Sequence, residues 1–507
     1  VRVGSGIFIS RILGFVRDRV FAYFFGSSDY ADAWRAALRL PNVVRNLLGE
    51  GTLSASMIPV YAELVEQGRE EDAARFAGAV LGILTLVAGA VALVGVLVAP
   101  VLVAVFFPLW SPEKQAITTT LVRILFPMVG IFVLSAWAMG ILDSHRRFFV
   151  SYVAPALWNV AVITAMVAGG LYFGLASRPR DLVVVLAWGA LVGGGLQLGL
   201  QLPFVLRHLT SLRPSLGRGV EGVPEAIRNF WPVVAARGVV NVSGWFELFL
   251  AGLLSSGAVA LMGYAQTFYM LPISLFGISV AASELPELSR MREEDRRALA
   301  KRVRRALKRV AYFLVPSTFG YLLLGDVAIA ALFETGQFGA EETLVTWGVL
   351  AAFSVGLPAT ASSRALSSAF YGLRDTKTPA RIAAVRVAVS LIVAVLLMLP
   401  LDRYGVGELR FGAAGLALGA SCGAWLEYAM LRRALRERIG EHGPGPRSIL
   451  KLSLVASVAA AAGVALQVVA PPAHPIVVGL ETLIPFGIIY LAGTALVGEG
   501  IRLVATR

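Results

Sequence analysis

Cysteine is all but missing from this chain: among 507 residues there is one, Cys422. A lone thiol closes no internal disulfide, and in the apolar run FGAAGLALGASCGAWLEYAML it reads as a small helix-packing residue. Histidine is nearly as scarce. His145, His208, His442 and His474 all fall in predicted loops, and no clustering among them is expected. No metal-ligand spacing and no Ser-His-Asp arrangement emerges, so no catalytic residue, metal site or cofactor is assigned. Charge is also short, at 15% of residues. Soluble domains average about 25%. Short segments of strand-like alternation are absent too, which argues against a β-barrel.

What is present is apolar. Hydrophobic residues make up 57% of the chain and the mean hydropathy is +0.74. The counting unit is therefore a helix of about 20 apolar residues. The sequence predicts an all-α integral membrane protein of about fourteen transmembrane helices, at 3–25, 31–61, 76–107, 117–142, 149–174, 182–206, 225–254, 257–283, 310–332, 343–371, 380–400, 411–431, 450–469 and 475–498. The span 31–61 is the most polar of them. No small-residue cleavage site follows the first apolar run, so no cleavable signal is expected.

The net charge of +13 is unevenly spread. With an inward N-terminus, loops on that side carry twenty-nine Arg and Lys, against five on the other. This positive-inside asymmetry predicts a multi-pass protein with both termini cytoplasmic. Its densest part, SRMREEDRRALAKRVRRALKRV (289–310), reads as an amphipathic connector that meets lipid headgroups. It lacks interleaved aromatics, and no nucleic-acid partner is expected.

An internal repeat organises the helices. GFVRDRVFAYFFGSSDYADAW (14–34) aligns with GWFELFLAGLLSSGAVALMGYA (244–265), and WRAALRLP (34–41) with AQTFYMLP (265–272). Two pseudo-symmetric six-helix lobes, 1–220 and 221–440, followed by two further helices in 441–507, are the simplest account. Paired lobes around a central cavity are a common transporter plan.

The first copy is the charged one. Arg11 and Asp18 fall within about 20° on one helix face, with Arg17 beside them. Asp32, Arg35, Arg39, Asn42 and Asn46 form an arc of about 80° on the next span, and Pro41 prevents Arg45 from being placed by counting. At the matching places the second copy has Asn241, Glu247 and mostly apolar residues. Such stripes either brace a bundle through ion pairs or line a polar cavity. Cations outnumber anions across 11–50, which favours binding an anion. Arginine suits a diphosphate, since its planar fork gives two parallel hydrogen bonds and stays protonated. Glu247, Asp326 and Glu427 are isolated intramembrane carboxylates, and no cation site is evident.

SRILGFVRD (10–18), DAW (32–34), LPNVVRNLLGEG (40–51) and MIPVYAE (57–63) resemble the N-terminal motifs of the MurJ (MviN) family. The likeness continues through HRRF and VAPALWN (145–159), QLGLQLP (197–203) and FYGLRDTKTP (370–379). That family comprises the lipid II flippases of peptidoglycan biosynthesis, in the multidrug/oligosaccharidyl-lipid/polysaccharide exporter superfamily. The resemblance implies a transporter rather than an enzyme, in the bacterial cytoplasmic (inner) membrane. It would move an undecaprenyl-diphosphate-linked muropeptide outward by alternating access. Membrane lipids and the cell-wall synthesis machinery would be its partners, and membrane potential or a cation would supply the drive. By motif, Arg11, Arg17 and Arg45 would hold the headgroup, with Asp32 opening the second helix and Asp18 tethering an arginine. Residues 447–501 would groove the lipid tail. One departure stands out: the eighth helix reads YAQTFYMLP, with Gln266 and Thr267 where the family carries Asp and Arg. Arg237, one turn before Asn241, either replaces that charge or snorkels to the inner interface. The missing arginine also leaves room for another undecaprenyl-diphosphate-linked oligosaccharide as substrate.

Overall fold

A computed structural model describes residues 2–209, 212–277, 296–469 and 473–500. The expected all-α architecture is present, with one two-stranded hairpin, Gly405–Val406 against Leu409–Arg410. The chain divides into two compact units, Val1–Leu253 and Leu254–Arg507.

The first unit contains α1 (Arg2–Phe25), α2 (Asp29–Leu48), α3 (Glu50–Ser56), α4 (Ile58–Glu66), α5 (Glu70–Phe106), α6 (Pro112–Ser144), α7 (Phe148–Val167), α8 (Pro179–Leu206) and α9 (Val223–Gly252). Ser28 caps α2, its hydroxyl accepting from the Ala31 amide at 3.4 Å. Asp29 and Asp32 lie in the first turn, where the helix dipole favours anions. The span expected at 31–61 is in fact three helices. α2 runs through Pro41 to Leu48, then turns at Gly49, whose amide bonds the Arg45 carbonyl at 2.7 Å. A Cβ on Gly49 would lie 2.5 Å from that carbonyl oxygen, so the turn requires glycine. The core beneath is formed by Met57, Tyr61, Phe76 and Trp137, with the Trp137 indole donating to the Ala77 carbonyl.

The second unit contains α10 (Ala258–Pro272), α11 (Arg296–Phe333), α12 (Ala340–Val355), α13 (Leu357–Gly372), α14 (Lys377–Leu401), α15 (Gly412–Ile439), α16 (Pro446–Val469) and α17 (Pro475–Leu496). Its tightest pair is α14 with α15. A Cβ on Gly415 or Gly419 would stand 2.6 Å from the backbone of Met398 or Ser390, so small residues let the two helices touch. The last two helices are tied to α11. Tyr490 donates to the Tyr312 carbonyl at 2.6 Å, and Lys308 pairs with Glu499 at 2.7 Å.

The two units share one piece of local backbone geometry. α6 and α13 both end in a turn with an arginine in the left-handed region, Arg146 and Arg374, each at φ 57°. In both turns that arginine bonds the carbonyl three residues back, and the following amide bonds five back. This is the Schellman closure, usually made by glycine. The repeat boundary expected near residue 220 and the compact boundary at Leu253 differ by one helix, α9, which packs on α2 and α3.

Ten helical spans among the described residues are long and apolar enough to cross a membrane. Their outer faces carry large apolar side chains, such as Leu97 at 67% and Val101 at 63% exposure, which water would not tolerate in such number. α1, α2, α9 and α15 are also 20 residues or longer, but all four carry charged side chains, and the apolar half of α15 is rich in Gly and Ala.

Candidate functional site

The first unit carries an open cavity of about 490 Å³ whose walls come from α1, α2, α3, α6, α7 and α8. Arg17 and Arg45 line it, together with Asn46, Ser54, Phe132, Ser135, Trp158, Asn159 and Gln197. No carboxylate lies among the lining residues, so the walls are cationic.

Each guanidinium is held from behind. The Nε and Nη2 of Arg17 donate to Asp18 Oδ1 at 3.0 and 2.7 Å, and its Nη1 donates to Asn159 Oδ1 at 3.0 Å. Asp18 is only 4% exposed and is also 3.9 Å from Arg35. Asn159 is anchored in turn, its Nδ2 donating to the Ser10 and Pro155 carbonyls. Arg17 further stacks over Trp158 at 5.1 Å, and Arg45 over Phe132 at 5.0 Å. Phe132 and Trp158 meet edge to face at 6.3 Å. The two cations are thus spaced by an aromatic ladder, each contact favourable by about 0.5–2 kcal/mol.

The structure brings together Arg17, Arg45 and, behind them, Asp18. Arg11 is half-buried on α1 and is not a lining residue. Asp32 is elsewhere: with Asp29 it grips Lys114, both at 2.6 Å, and the ammonium sits 4.3 Å from the Trp110 ring. The side chains of Arg237 and Asn241 lie outside the described residues. At the eighth-helix departure, Thr267 returns its hydroxyl to the Gly263 carbonyl at 3.2 Å. Two of the isolated carboxylates have partners, Glu247 with Arg39 and Glu427 with Arg386, each at 3.0 Å.

Sequence reasoning missed Phe132, Ser135, Trp158 and Gln197, because aromatic and amide residues inside apolar runs read as packing. Only VAPALWN and QLGLQLP, already conspicuous as motifs, pointed toward them. The expectation that the histidines stay apart is overturned. His145 and His208 stack with ring centroids 4.1 Å apart, because α6 and α8 end side by side. His145 Nε2 also meets the Tyr61 hydroxyl at 2.9 Å. Burial and neighbouring cationic groups, Arg147 among them, hold both imidazoles below the usual histidine range.

Fold and site define a polytopic helical membrane protein with a cationic cavity among its helices. A family model described as lipid II flippase MurJ matches residues 21–487. A protein of Rhizobium tropici named as a probable lipid II flippase MurJ is 31% identical over 445 residues, covering 86% of this chain and 80% of its own. One from Burkholderia cenocepacia, named lipid II flippase MurJ, is 30% identical, covering 86% and 83%. The chain belongs to the MurJ family. Its fold is that of a solved lipid II flippase MurJ described as inward closed, with TM-score 0.80, 23% identity and 98% of both chains covered. A multidrug resistance MATE family transporter in an inward-facing conformation is more distant, with TM-score 0.65, 16% identity and 85% and 94% covered.

Proposed function

We propose that this protein is a flippase for lipid II, carrying the undecaprenyl-diphosphate-linked muropeptide from the inner to the outer leaflet by alternating access. In this reading α1, α2, α9 and α15 also cross the membrane, giving fourteen spans with both termini cytoplasmic. The observation that carries it is the cavity in the first unit, where two guanidiniums and no carboxylate line the wall. The names of the relatives point the same way.

A diphosphate must leave water to cross, and an uncompensated charge in the bilayer costs several kcal/mol, on the order of 2.5–3.5 even on the mildest scale. Asp18 and Asn159 occupy three of the Arg17 N–H groups and hold the fork in place. Its remaining N–H groups then meet phosphate oxygens from a fork already in place, with the Arg45 guanidinium on the same cavity wall. The polyprenyl tail lies along the apolar outer face of the last two helices, where Leu480, Ile484 and Ile488 are more than half exposed. Gln266 and Thr267 support a second reading, in which a different glycan is carried on the same diphosphate lipid.

Complementation separates the two. The chain should restore growth to a bacterium depleted of its lipid II flippase. Arg17→Ala and Arg45→Ala, at equal membrane abundance, should lower plating at least about tenfold, the loss of one charge-assisted contact of about 1.5–3 kcal/mol. Failure of the unaltered chain to restore growth would favour the other glycan. Growth on both variants would remove the diphosphate role.

A further inference from the structure

One wall of the cavity has no use for a phosphate. Gln197 Nε2 donates to Ser135 Oγ at 2.9 Å, and the Ser135 hydroxyl donates to Gln201 Oε1 at 2.6 Å. Ser135 and Gln201 are 2% and 1% exposed, so this relay is shielded from water. A serine has one proton. With that proton given to Gln201, Ser135 accepts from Gln197, which turns the Gln197 Nε2 toward the relay and its Oε1 away from it. The Gln197 Oε1 is left as an acceptor that takes no hydrogen bond from any described residue. Asn159 offers no alternative, because both ends of its amide are occupied.

Phosphate oxygens at neutral pH are acceptors only, so an amide carbonyl oxygen repels them. It needs a ligand O–H or N–H. Gln197 and the two arginines line the same 490 Å³ cavity, which places the donor-bearing group next to the anionic one. We infer that Gln197 Oε1 receives a hydroxyl or acetamido N–H of the sugar joined to the diphosphate, so the cavity prefers glycosylated polyprenyl diphosphate to the bare lipid. This rests on the reading that Arg17 and Arg45 hold the phosphates, and it assigns the chemistry beside them. Gln197 is a binding residue in this scheme, and Ser135 with Gln201 positions it.

The test uses the full chain in lipid nanodiscs, titrated with undecaprenyl diphosphate and with undecaprenyl-diphosphate-N-acetylmuramoyl-pentapeptide. Gln197→Met, close in volume and lacking the acceptor, should weaken the glycosylated lipid by about 5–10-fold, the worth of one neutral hydrogen bond. Binding of the bare lipid should stay within about twofold, which also reports that the variant is folded. Ser135→Ala, which keeps Gln197 but releases its aim, should show a smaller loss of the same preference. Arg45→Ala should weaken both lipids alike. An unchanged ratio in Gln197→Met, or an equal loss of both lipids, would overturn the assignment while leaving the diphosphate reading intact. Unchanged binding of both lipids to Arg45→Ala would instead defeat the diphosphate reading and this inference with it.

Discussion

Lys114 is 5% exposed and holds Asp29 and Asp32 at 2.6 Å each, with Asp32 itself 1% exposed. A buried pair of this kind is weak evidence of net stabilisation, but removing one partner strands the other. Lys114→Met should therefore destabilise the protein by about 3–5 kcal/mol, seen as a lower melting temperature in detergent. Adding Asp32→Asn should recover part of the loss, since no buried charge is then left alone. A single variant that melts like the parent would remove this account. The same residue shows where sequence reading stops. Asp32 sits in the charged arc with Arg35 and Arg39, and counting along the helix cannot reveal that a lysine 82 positions later claims it.

Among the elements, α15 shows how composition becomes contact. Gly415, Gly419 and Gly423 recur every four residues and press against the backbone of α14. Gly419→Val would put side-chain carbon 2.6 Å from the Ser390 carbonyl, an obstacle that cannot rotate away. Overpacking of this sort costs about 1–3 kcal/mol or more, so the variant should melt earlier and give less folded protein. Gly195→Ala on α8 is the control, with no atom within 4 Å of the added carbon, and it should be neutral or stabilising. Equal melting of the two variants would mean that helix proximity is not what these glycines serve. The break at Gly356 belongs to the same scale. Its amide bonds Ser421 Oγ at 3.1 Å, and that hydroxyl donates to the Ala352 carbonyl at 2.7 Å, so a neighbouring helix stitches the interrupted span.

For the whole molecule, pH is the global variable. His145 and His208 are stacked and held below their ordinary value, with Glu70 opposing and Arg147 reinforcing the shift. A group whose folded value is depressed binds fewer protons folded than unfolded. Stability is therefore present above about pH 6.5 and is lost as pH falls below it. Melting temperature should drop between pH 7.5 and 5, and His208→Phe should shrink that drop by removing one of two adjacent cations. An identical drop in the variant would place the acid sensitivity elsewhere.

Much of this protein is legible in one dimension. Low charge and long apolar runs dictate membrane helices, because hydrocarbon accepts only backbone that bonds itself. Charges within such runs, at Arg17, Asp18 and Arg45, mark a polar interior because lipid would not tolerate them. Tertiary structure decided which of those charges share a wall. Arg17 and Arg45 converge because a glycine turn at residue 49 and the rings of Phe132 and Trp158 position them, while Asp32 is drawn off by Lys114. It also decided the pairing of His145 with His208 and the aim of Gln197, both set by where α6 and α8 lie side by side. Periodicity gives a residue its helix face. Only packing gives that face its neighbour, and the chemistry of a site resides in the neighbour.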